Sequence, residues 1–208
     1  PLENAEPLVV FNPHAWDVSD TVKFSLSHNL QPGEMLPEFT VWDSNGKALP
    51  TQVSNEFVQD MGRQNRVWKG DVCFSASKIP SLGYSTFYMT RESNNIESSI
   101  KVGPCTIEND FVKVLVRSNG TFDLLHKHSG TSFHNLNLLE DTEDVGDEYN
   151  YVKARSSRTI TSEGINGNLN IVETGPAFAT IRADFVMELP AAITADRLAR
   201  QEATVCCP

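Results

Sequence analysis

The sequence predicts an all-β protein of the sandwich class, and three observations lead to this fold class. Apolar and polar residues alternate in segments such as TVKFSLS at 21–27 and FVKVLVR at 111–117, which is the period of a strand with one buried face. Asn-Gly pairs that favour tight hairpin turns recur between such segments, as at Asn119-Gly120. The 208 residues are 39% hydrophobic and 21% charged, which is typical of globular domains.

Strands are predicted throughout the first half of the chain. The segment DVCFSA at 71–76 alternates in the same way, so we expect Cys73 to be packed in the core. The tryptophans Trp16, Trp42 and Trp68 also fall in predicted strands, and we expect them to be core or interface residues.

A polar segment separates two strand-rich halves. RESNNIESSIKVGP at 91–104 carries clusters of Ser and Asn, as linkers do. We therefore predict a small β-sandwich domain at 1–95, a linker at 96–103 and the first, truncated part of a second β domain at 104–208. The chain begins without Met and ends within a strand-like segment, so we expect it to be a piece of a longer protein.

Two segments of the second half have distinct local signals. VLVRSNGTFDLL at 114–125 has apolar alternation on both sides of Asn119-Gly120, which predicts a hairpin with a two-residue turn. AAITADRLARQEA at 191–203 is rich in Ala but has a narrow apolar face, so propensity alone predicts a helix there.

The charge balance and the cysteines exclude several functional classes. The chain has 17 Lys and Arg against 27 Asp and Glu, a net charge of −10, which disfavours binding to nucleic-acid phosphates. No apolar run reaches the roughly 18 residues that a spanning helix needs, so we expect no membrane partner. Cys206 and Cys207 are adjacent, and the four cysteines make no disulfide framework. We therefore expect a reducing, cytoplasmic location.

The most unusual feature is the acidic segment LLEDTEDVGDEYNY at 138–151. Carboxylates at this density repel one another unless water, a cation or a ligand rich in hydroxyl groups separates them. Three interpretations stay open. The segment is a solvated surface loop, a calcium loop that lacks the EF-hand order, or a sugar site in which carboxylates accept hydrogen bonds and aromatic rings cover the sugar.

The histidines and the short motifs give no catalytic site. His126 and His128 lie two residues apart at a predicted strand end and face the same side, as paired zinc ligands can. No third ligand follows at a motif spacing, so we expect a surface pair. There is no G-x-S-x-G nucleophile elbow and no Gly-rich phosphate loop. We assign no catalytic and no metal-binding residue to this chain.

Phrases spread along the chain carry a resemblance to a known family. They are PLVVFNPHAWD at 7–17, IPSLGYSTFYM at 79–89, CTIENDFVKVLVRSNGTFDLLHKHSG at 105–130, EDVGDEYNY at 143–151 and the tail LPAAITADRLARQEATV at 189–205. In this order they resemble the C-terminal β region of glycoside hydrolase family 38, the α-mannosidases, in its bacterial type. The similarity covers nearly the whole chain.

The resemblance implies a fold and an activity. The implied fold is a small β-sandwich followed by the first strands of a supersandwich like that of galactose mutarotase. The family is retaining and uses an Asp nucleophile together with zinc, held by His and Asp residues upstream of this region. No position here matches those residues. We therefore expect zinc in the parent enzyme, bound outside this chain, and no activity of this chain alone.

The resemblance also implies two substrate-binding residues. In the family, a Gly-Asp-x-Tyr loop reaches the sugar pocket of the barrel, and its Tyr contacts the substrate. The matching residues here are Asp147 and Tyr149, with Gly146 allowing the turn. The family's tail implies an extended segment at 191–203, and we favour this form over the helix.

Two functions from different classes follow. In the first, the chain is the non-catalytic β region of a zinc-dependent retaining α-mannosidase. It packs on the catalytic barrel of the full-length chain and lends a loop to the pocket for the α-mannoside substrate. In the second, it is a stand-alone carbohydrate- or calcium-binding β-sandwich module. A truncated sheet leaves open strand edges, which favour self-association, so we also expect a homo-oligomer.

Overall fold

The computed structural model describes residues 4–62, 65–94 and 96–207. Every regular element in this part of the chain is a β-strand, so the all-β prediction is confirmed. The predicted domain boundary at residue 95 lies outside the described residues. The part that is described contains no helix with the length and apolar character needed to span a membrane.

The chain forms two compact units, residues 1–100 with 173–179 and residues 101–172 with 180–208. The first unit contains β1 (Glu6–Asn12), β2 (Val18–Leu30), β3 (Thr40–Trp42), β4 (Ala48–Leu49), β5 (Thr51–Asp60), β6 (Arg66–Ile79) and β7 (Gly83–Thr90). These strands make two antiparallel sheets, one in the order β1-β7-β3-β4 and one in the order β2-β6-β5. Cys73 of β6 is buried, as its sequence context predicts.

The core of the first unit consists of inward-facing side chains from both of its sheets. Trp68, Val72 and Phe74 share one face of β6 and are fully buried, because alternate residues of a strand point to the same side. The rings of Phe74 and Phe87 lie 5.0 Å apart. The indole of Trp68 lies over Gly70, where a Cβ atom would be 2.5 Å from the ring. Glycine at this position therefore leaves room for the largest core side chain.

The prediction that all three tryptophans lie in strands is wrong for Trp16, which is not a core residue either. Trp42 lies in β3 and Trp68 in β6, but Trp16 lies in the loop after β1 and is 63% exposed. The buried side-chain amide of Asn12 donates hydrogen bonds to the carbonyl oxygens of Trp16, at 2.8 Å, and Ile79, at 3.1 Å. These bonds fix the backbone of the loop as the strand ends.

The second unit contains shorter strands in smaller sheets. They are β8 (Lys101–Gly103), β9 (Thr106–Glu108), β10 (Val112–Val116), β11 (Phe122–His126), β12 (Thr131–Leu136), β13 (Glu140–Asp141), β14 (Ile160–Thr161), β15 (Asn168–Glu173), β16 (Thr180–Asp184), β17 (Met187–Pro190) and β18 (Thr204–Cys207). Five of them form one sheet in the order β12-β11-β10-β9-β8, and β13-β14, β15-β16 and β17-β18 are separate pairs. The predicted linker at 96–103 ends in a strand, since β8 pairs with β9.

The hairpin predicted around Asn119-Gly120 is confirmed, because β10 pairs antiparallel with β11. Its turn is not the predicted two-residue form. The Arg117 amide donates to the Thr121 carbonyl at 2.8 Å, and Gly120 has a φ of 80°. The loop therefore has three residues with glycine in the left-handed conformation. Asn119 uses its side-chain oxygen to accept a hydrogen bond from the Thr121 hydroxyl at 2.8 Å.

Residues 191–203 are not helical, so the prediction from propensity is wrong; the segment forms isolated bridges around a turn rather than one continuous extended stretch. Ile193 and Arg200 form an antiparallel bridge, and Arg197 has a φ of 58° where the chain turns back. On either side of this turn, β17 and β18 pair with each other. Pairing of the backbone with a neighbouring segment replaces the hydrogen bonds that a helix would make within itself.

Candidate functional site

The acidic segment forms a loop between short strands, and we call residues 140–152 the acidic loop. Its first anchor is Glu143, a residue that is only 3% exposed. The carboxylate accepts hydrogen bonds from the amides of Ala154, at 3.2 Å, and Arg158, at 3.3 Å. A hydrogen bond from the Ser157 side chain, together with these amides, lowers the pKa of Glu143 to about 2. The group is therefore a charged anchor for the backbone.

Asp144 closes the neck of the loop. Its Oδ1 accepts hydrogen bonds from the amides of Gly146, at 2.8 Å, and Val152, at 3.0 Å. The amide of Val145 donates to the carbonyl of Val152 at 2.8 Å. The Val152 and Gly146 amides hold the pKa of the Asp144 carboxyl below its usual range. One carboxylate thus joins the two ends of the turn.

Asp147 shapes the tip of the loop. Its Oδ1 accepts hydrogen bonds from the amides of Tyr149, at 3.0 Å, and Asn150, at 2.8 Å. These two amides lower the pKa of Asp147. An Asp that accepts the amides of following residues makes an Asx turn, which orients the backbone locally. The turn joins the carboxylate of Asp147 to the backbone amide of Tyr149, the other predicted substrate-binding residue.

Gly146 is required by the close approach of backbone atoms. A Cβ atom at this position would lie 1.8 Å from the carbonyl oxygen of Asn150, which no other residue could accommodate without a shift of the loop. The guanidinium of Arg197 donates to the Gly146 carbonyl at 2.6 Å. The segment at 191–203 therefore braces the tip of the acidic loop, a contact that sequence spacing could not show.

The acidic loop presents two tyrosines to solvent. Tyr149 is 84% exposed and Tyr151 is 60% exposed, although the backbone that carries them is fixed by three carboxylates. A phenol offers an apolar face to a pyranose and a hydroxyl that both donates and accepts hydrogen bonds. A carboxylate such as that of Asp147 accepts hydrogen bonds from sugar hydroxyls. The arrangement is chemically suited to contact with a carbohydrate.

A groove lies next to the base of the acidic loop in the second unit. Its volume is about 800 Å³, and its walls include Leu139, Phe185 and Met187 beside the carboxylates of Asp141 and Asp184. No pattern in the sequence predicts this groove, because its walls come from strands that are far apart in the chain.

The described residues do not bring three His, Cys, Asp or Glu side chains together in a way that could hold a metal ion. In the acidic loop, the carboxylates of Glu143, Asp144 and Asp147 are directed at backbone amides. The rings of His126 and His128 lie 6.4 Å apart, and His126 Nδ1 lies 2.8 Å from the Ser129 hydroxyl. The three carboxylates therefore bond to the backbone of their own loop, and His126 contacts a hydroxyl in the turn that follows its strand.

Known proteins share this fold. An α-mannosidase from Enterococcus faecalis V583 matches with a TM-score of 0.79 and 23% identity, over 98% of this chain and 27% of its own. A second structure from Enterococcus faecalis, a protein in the glycosyl hydrolase family 38, matches with a TM-score of 0.80 and 23% identity, over 98% of this chain and 29% of its own. The resemblance to the β region of family 38 is confirmed at the level of the fold.

A curated relative points in the same direction. The protein of Halalkalibacterium halodurans named "Putative mannosylglycerate hydrolase" is 29% identical over 137 residues, which are 64% of this chain and 15% of the relative. No family model matches the sequence. The chain thus spans less than a third of each solved relative and a smaller share of the curated one.

Proposed function

We propose that this chain is the non-catalytic β region of a glycoside hydrolase that resembles family 38 and removes terminal α-linked mannose. In this proposal the second unit is the beginning of a supersandwich like that of galactose mutarotase. The support is threefold: the ordered phrases in the sequence, the fold shared with an α-mannosidase and a family 38 protein, and the curated relative.

The proposed role of this chain is to complete the sugar pocket of the parent enzyme with the acidic loop. Tyr149 would cover the apolar face of a mannosyl ring or bond to one of its hydroxyl groups, and the Asp147 carboxylate would accept a hydrogen bond from another. Because the loop is already fixed by its own hydrogen bonds, little conformational entropy is lost when substrate binds.

A catalytic zinc ion does not fit the described residues, which form no suitable cluster of ligands. Any zinc of the parent enzyme, which would act as a Lewis acid there, is therefore proposed to be held by residues outside this chain. The residues of this chain bind and orient the sugar, and we assign none of them to the covalent step.

The strongest support for this role is that Tyr149 combines a fixed backbone with an exposed aromatic ring. Tyr149 is 84% exposed, and its own amide is held by Asp147 at 3.0 Å. Carboxylates that accept nearby amides fix many surface loops, so it is the exposed ring on such a fixed backbone that favours contact with a ligand. Such preorganisation is expected in a site that binds its ligand in one defined geometry.

The test is hydrolysis of an aryl α-mannoside by the full natural chain. Tyr149→Ala should lower kcat/KM by about 10- to 100-fold, since it removes a contact with the bound sugar. Phe111→Ala removes an exposed ring from a turn elsewhere in the second unit and should leave kcat/KM unchanged. The 208-residue chain alone should be inactive. An unchanged kcat/KM for Tyr149→Ala would contradict the proposed role of the loop.

One observation favours a second candidate, a carbohydrate-binding module. Such modules use exposed aromatic rings, and Trp16 is exposed and stacked on His14 with ring centroids 4.8 Å apart. If this were the function, methyl α-mannoside would bind to the chain in calorimetry and Trp16→Ala would abolish the binding. Loss of binding in Tyr149→Ala, with Trp16→Ala unaffected, would instead favour the pocket role.

A further inference from the structure

The two sheets of the first unit expose outer faces of opposite character. The outer face of β2 and β6 is polar, and Lys23, Ser25 and Asp71 lie on it. The Lys23 ammonium lies 2.9 Å from the Asp71 carboxylate, and the Ser25 hydroxyl donates to the same group at 2.6 Å. These three residues are typical of a sheet face that meets water, whereas Cys73, Gln52 and Ser54 on another part of the same face are buried.

The outer face of the other sheet is aromatic and uncharged. The pairing of β1 with β7 sets Phe11 opposite Tyr84, with ring centroids 5.7 Å apart. Phe11 is 73% exposed, and Val9 and Tyr84 are exposed beside it. Alternation along β1, β7, β3 and β4 gives the outward positions Pro7, Val9, Phe11, Tyr84, Thr86, Tyr88, Trp42 and Ala48.

The apolar surface continues onto the loops at the end of this sheet. The Leu82 amide donates to the His14 carbonyl at 2.8 Å, so the two loops are joined through their backbones. Leu82 and Trp16 are both exposed, and the His14 ring stacks on the indole of Trp16. The buried amide of Asn12 holds the Trp16 carbonyl, and this fixes the loop with its indole outward.

Such a surface is unusual on a protein that is surrounded by water. Large contiguous apolar patches mark contacts with other proteins or domains, and aromatic residues are enriched where those contacts are fully buried. We call Val9, Phe11, Trp16, Leu82 and Tyr84 the aromatic face. Its exposure costs free energy unless another apolar surface covers it.

We propose that the aromatic face is the surface on which a segment of the parent polypeptide outside residues 1–208 docks. This inference rests on the proposed function, because it assumes a parent enzyme of the size of the solved relatives. The present chain corresponds to 27% and 29% of those relatives, so most of such a polypeptide lies outside it and is available to cover the face.

The character of the face limits what can cover it. It carries no charge among its five residues, whereas the chain as a whole has a net charge of −10, so a basic partner would be drawn to other parts of the surface. The rings of Phe11 and Tyr84 are inclined by 50° to each other, so they do not form the flat platform that stacks on a pyranose. An apolar surface of neutral polypeptide fits both observations.

Hydroxyl-radical footprinting of the full natural chain tests this inference without relying on its activity. Phe11, Trp16 and Tyr84 should be modified about tenfold more slowly than Phe57, after correction for the intrinsic reactivity of each ring. Phe57 is the internal control, since it is exposed on the polar sheet of the same unit. Modification of the aromatic face at the rate of Phe57 would overturn the proposal.

Two other outcomes would also overturn it. Protection that is lost when an oligomer is diluted to monomers would show that a second copy covers the face. Protection that needs methyl α-mannoside would show a sugar site. If the full chain is protected in the monomer without sugar but does not hydrolyse α-mannosides, the docking inference stands and the proposed function fails, so the two failures can be distinguished.

Discussion

The two units of this chain are stabilised in different ways. In the first unit, Trp68, Val72 and Phe74 are fully buried among side chains of both sheets. In the second unit, the apolar side chains that are buried among the described residues are those of Ala154 and Met187. One unit is a closed sandwich, whereas the other is a set of small sheets with an open groove of about 800 Å³.

In the second unit, hydrogen bonds from side chains to the backbone contribute more to holding the loops in place. Glu143 accepts a hydrogen bond from the amide of Ala154, and the Arg200 guanidinium donates one to the backbone carbonyl of Asp141 at 3.2 Å. Close apolar packing makes the core sensitive to the loss of side-chain volume, but it fixes a surface loop only indirectly. Carboxylates that bind amides fix the loop directly, although the net stability gained is modest because an unfolded chain bonds to water instead. The first unit is therefore stabilised mainly by buried apolar packing, whereas the second relies more on hydrogen bonds that shape its loops.

The largest effect is expected from truncation of the closed core. Trp68→Ala should lower the free energy of unfolding of the first unit by about 3–5 kcal/mol, because it removes buried contacts and leaves a cavity. The matched change in the second unit, Met187→Ala, should cost about 2 kcal/mol or less, since Met187 already borders the groove. Native-state hydrogen exchange of the β6 and β17 amides would measure each loss separately.

The two substitutions should not lower the free energy of unfolding by the same amount. Equal losses would mean that the second unit has a core as well packed as that of the first. A loss for Met187→Ala that appears only in the full natural chain would mean that another segment fills the groove there.

An intermediate effect is expected from Gly146→Ala. The added Cβ atom would meet the Asn150 carbonyl, so the loop must rearrange at a cost of about 1–3 kcal/mol. Because Tyr149 would move with the loop, kcat/KM of the full natural chain should fall about tenfold. Gly130→Ala is the matched control: its Cβ atom would meet nothing within 4 Å, and only the φ of 68° opposes it.

That control should cost about 1–2 kcal/mol, the usual cost of a left-handed backbone for a residue with a Cβ atom, and should leave kcat/KM unchanged. If Gly146→Ala and Gly130→Ala changed kcat/KM by the same factor, the shape of the acidic loop would not matter for activity.

Features that depend on neighbours in sequence could be predicted from the sequence. Alternation in FVKVLVR at 111–117 predicted β10, and Asn119-Gly120 predicted the hairpin that follows. The helix predicted at 191–203 failed because Ile193 pairs with Arg200, a contact that a propensity does not contain. Trp16 was expected in a strand, but the strand ends at Asn12, whose side chain binds the backbone of the next loop.

The candidate site was only partly visible in the sequence. Its acidic composition was evident, and the resemblance singled out Asp147 and Tyr149. The sequence could not show that Glu143 is a buried anchor or that Arg197 braces the loop, because both roles depend on backbone atoms brought together by folding. Carboxylates that look alike in the sequence thus have different hydrogen-bond partners in the folded loop.

Near neutral pH, the smallest effect is expected from a change of pH, which acts through Glu143. The folded protein lowers the pKa of this carboxyl from its ordinary value of 4.5 to about 2. A carboxyl with a lower pKa in the folded state stabilises that state fully above its unfolded pKa, and the contribution is lost as pH falls toward the folded pKa. The acidic loop should therefore be fully held above pH 4.5 and should loosen progressively between pH 4.5 and about 2.

The amide chemical shifts of Ala154 and Arg158 report on this anchor directly, because both amides donate to the Glu143 carboxylate. They should titrate with a midpoint near pH 2 in the natural sequence, and Glu143→Gln should remove the titration while weakening the loop at neutral pH. Glu148→Gln, an exposed change in the same loop, should leave the profile as it is. A midpoint near the ordinary value of 4.5 would mean that these amides do not hold the carboxylate and that Glu143 does not anchor the acidic loop.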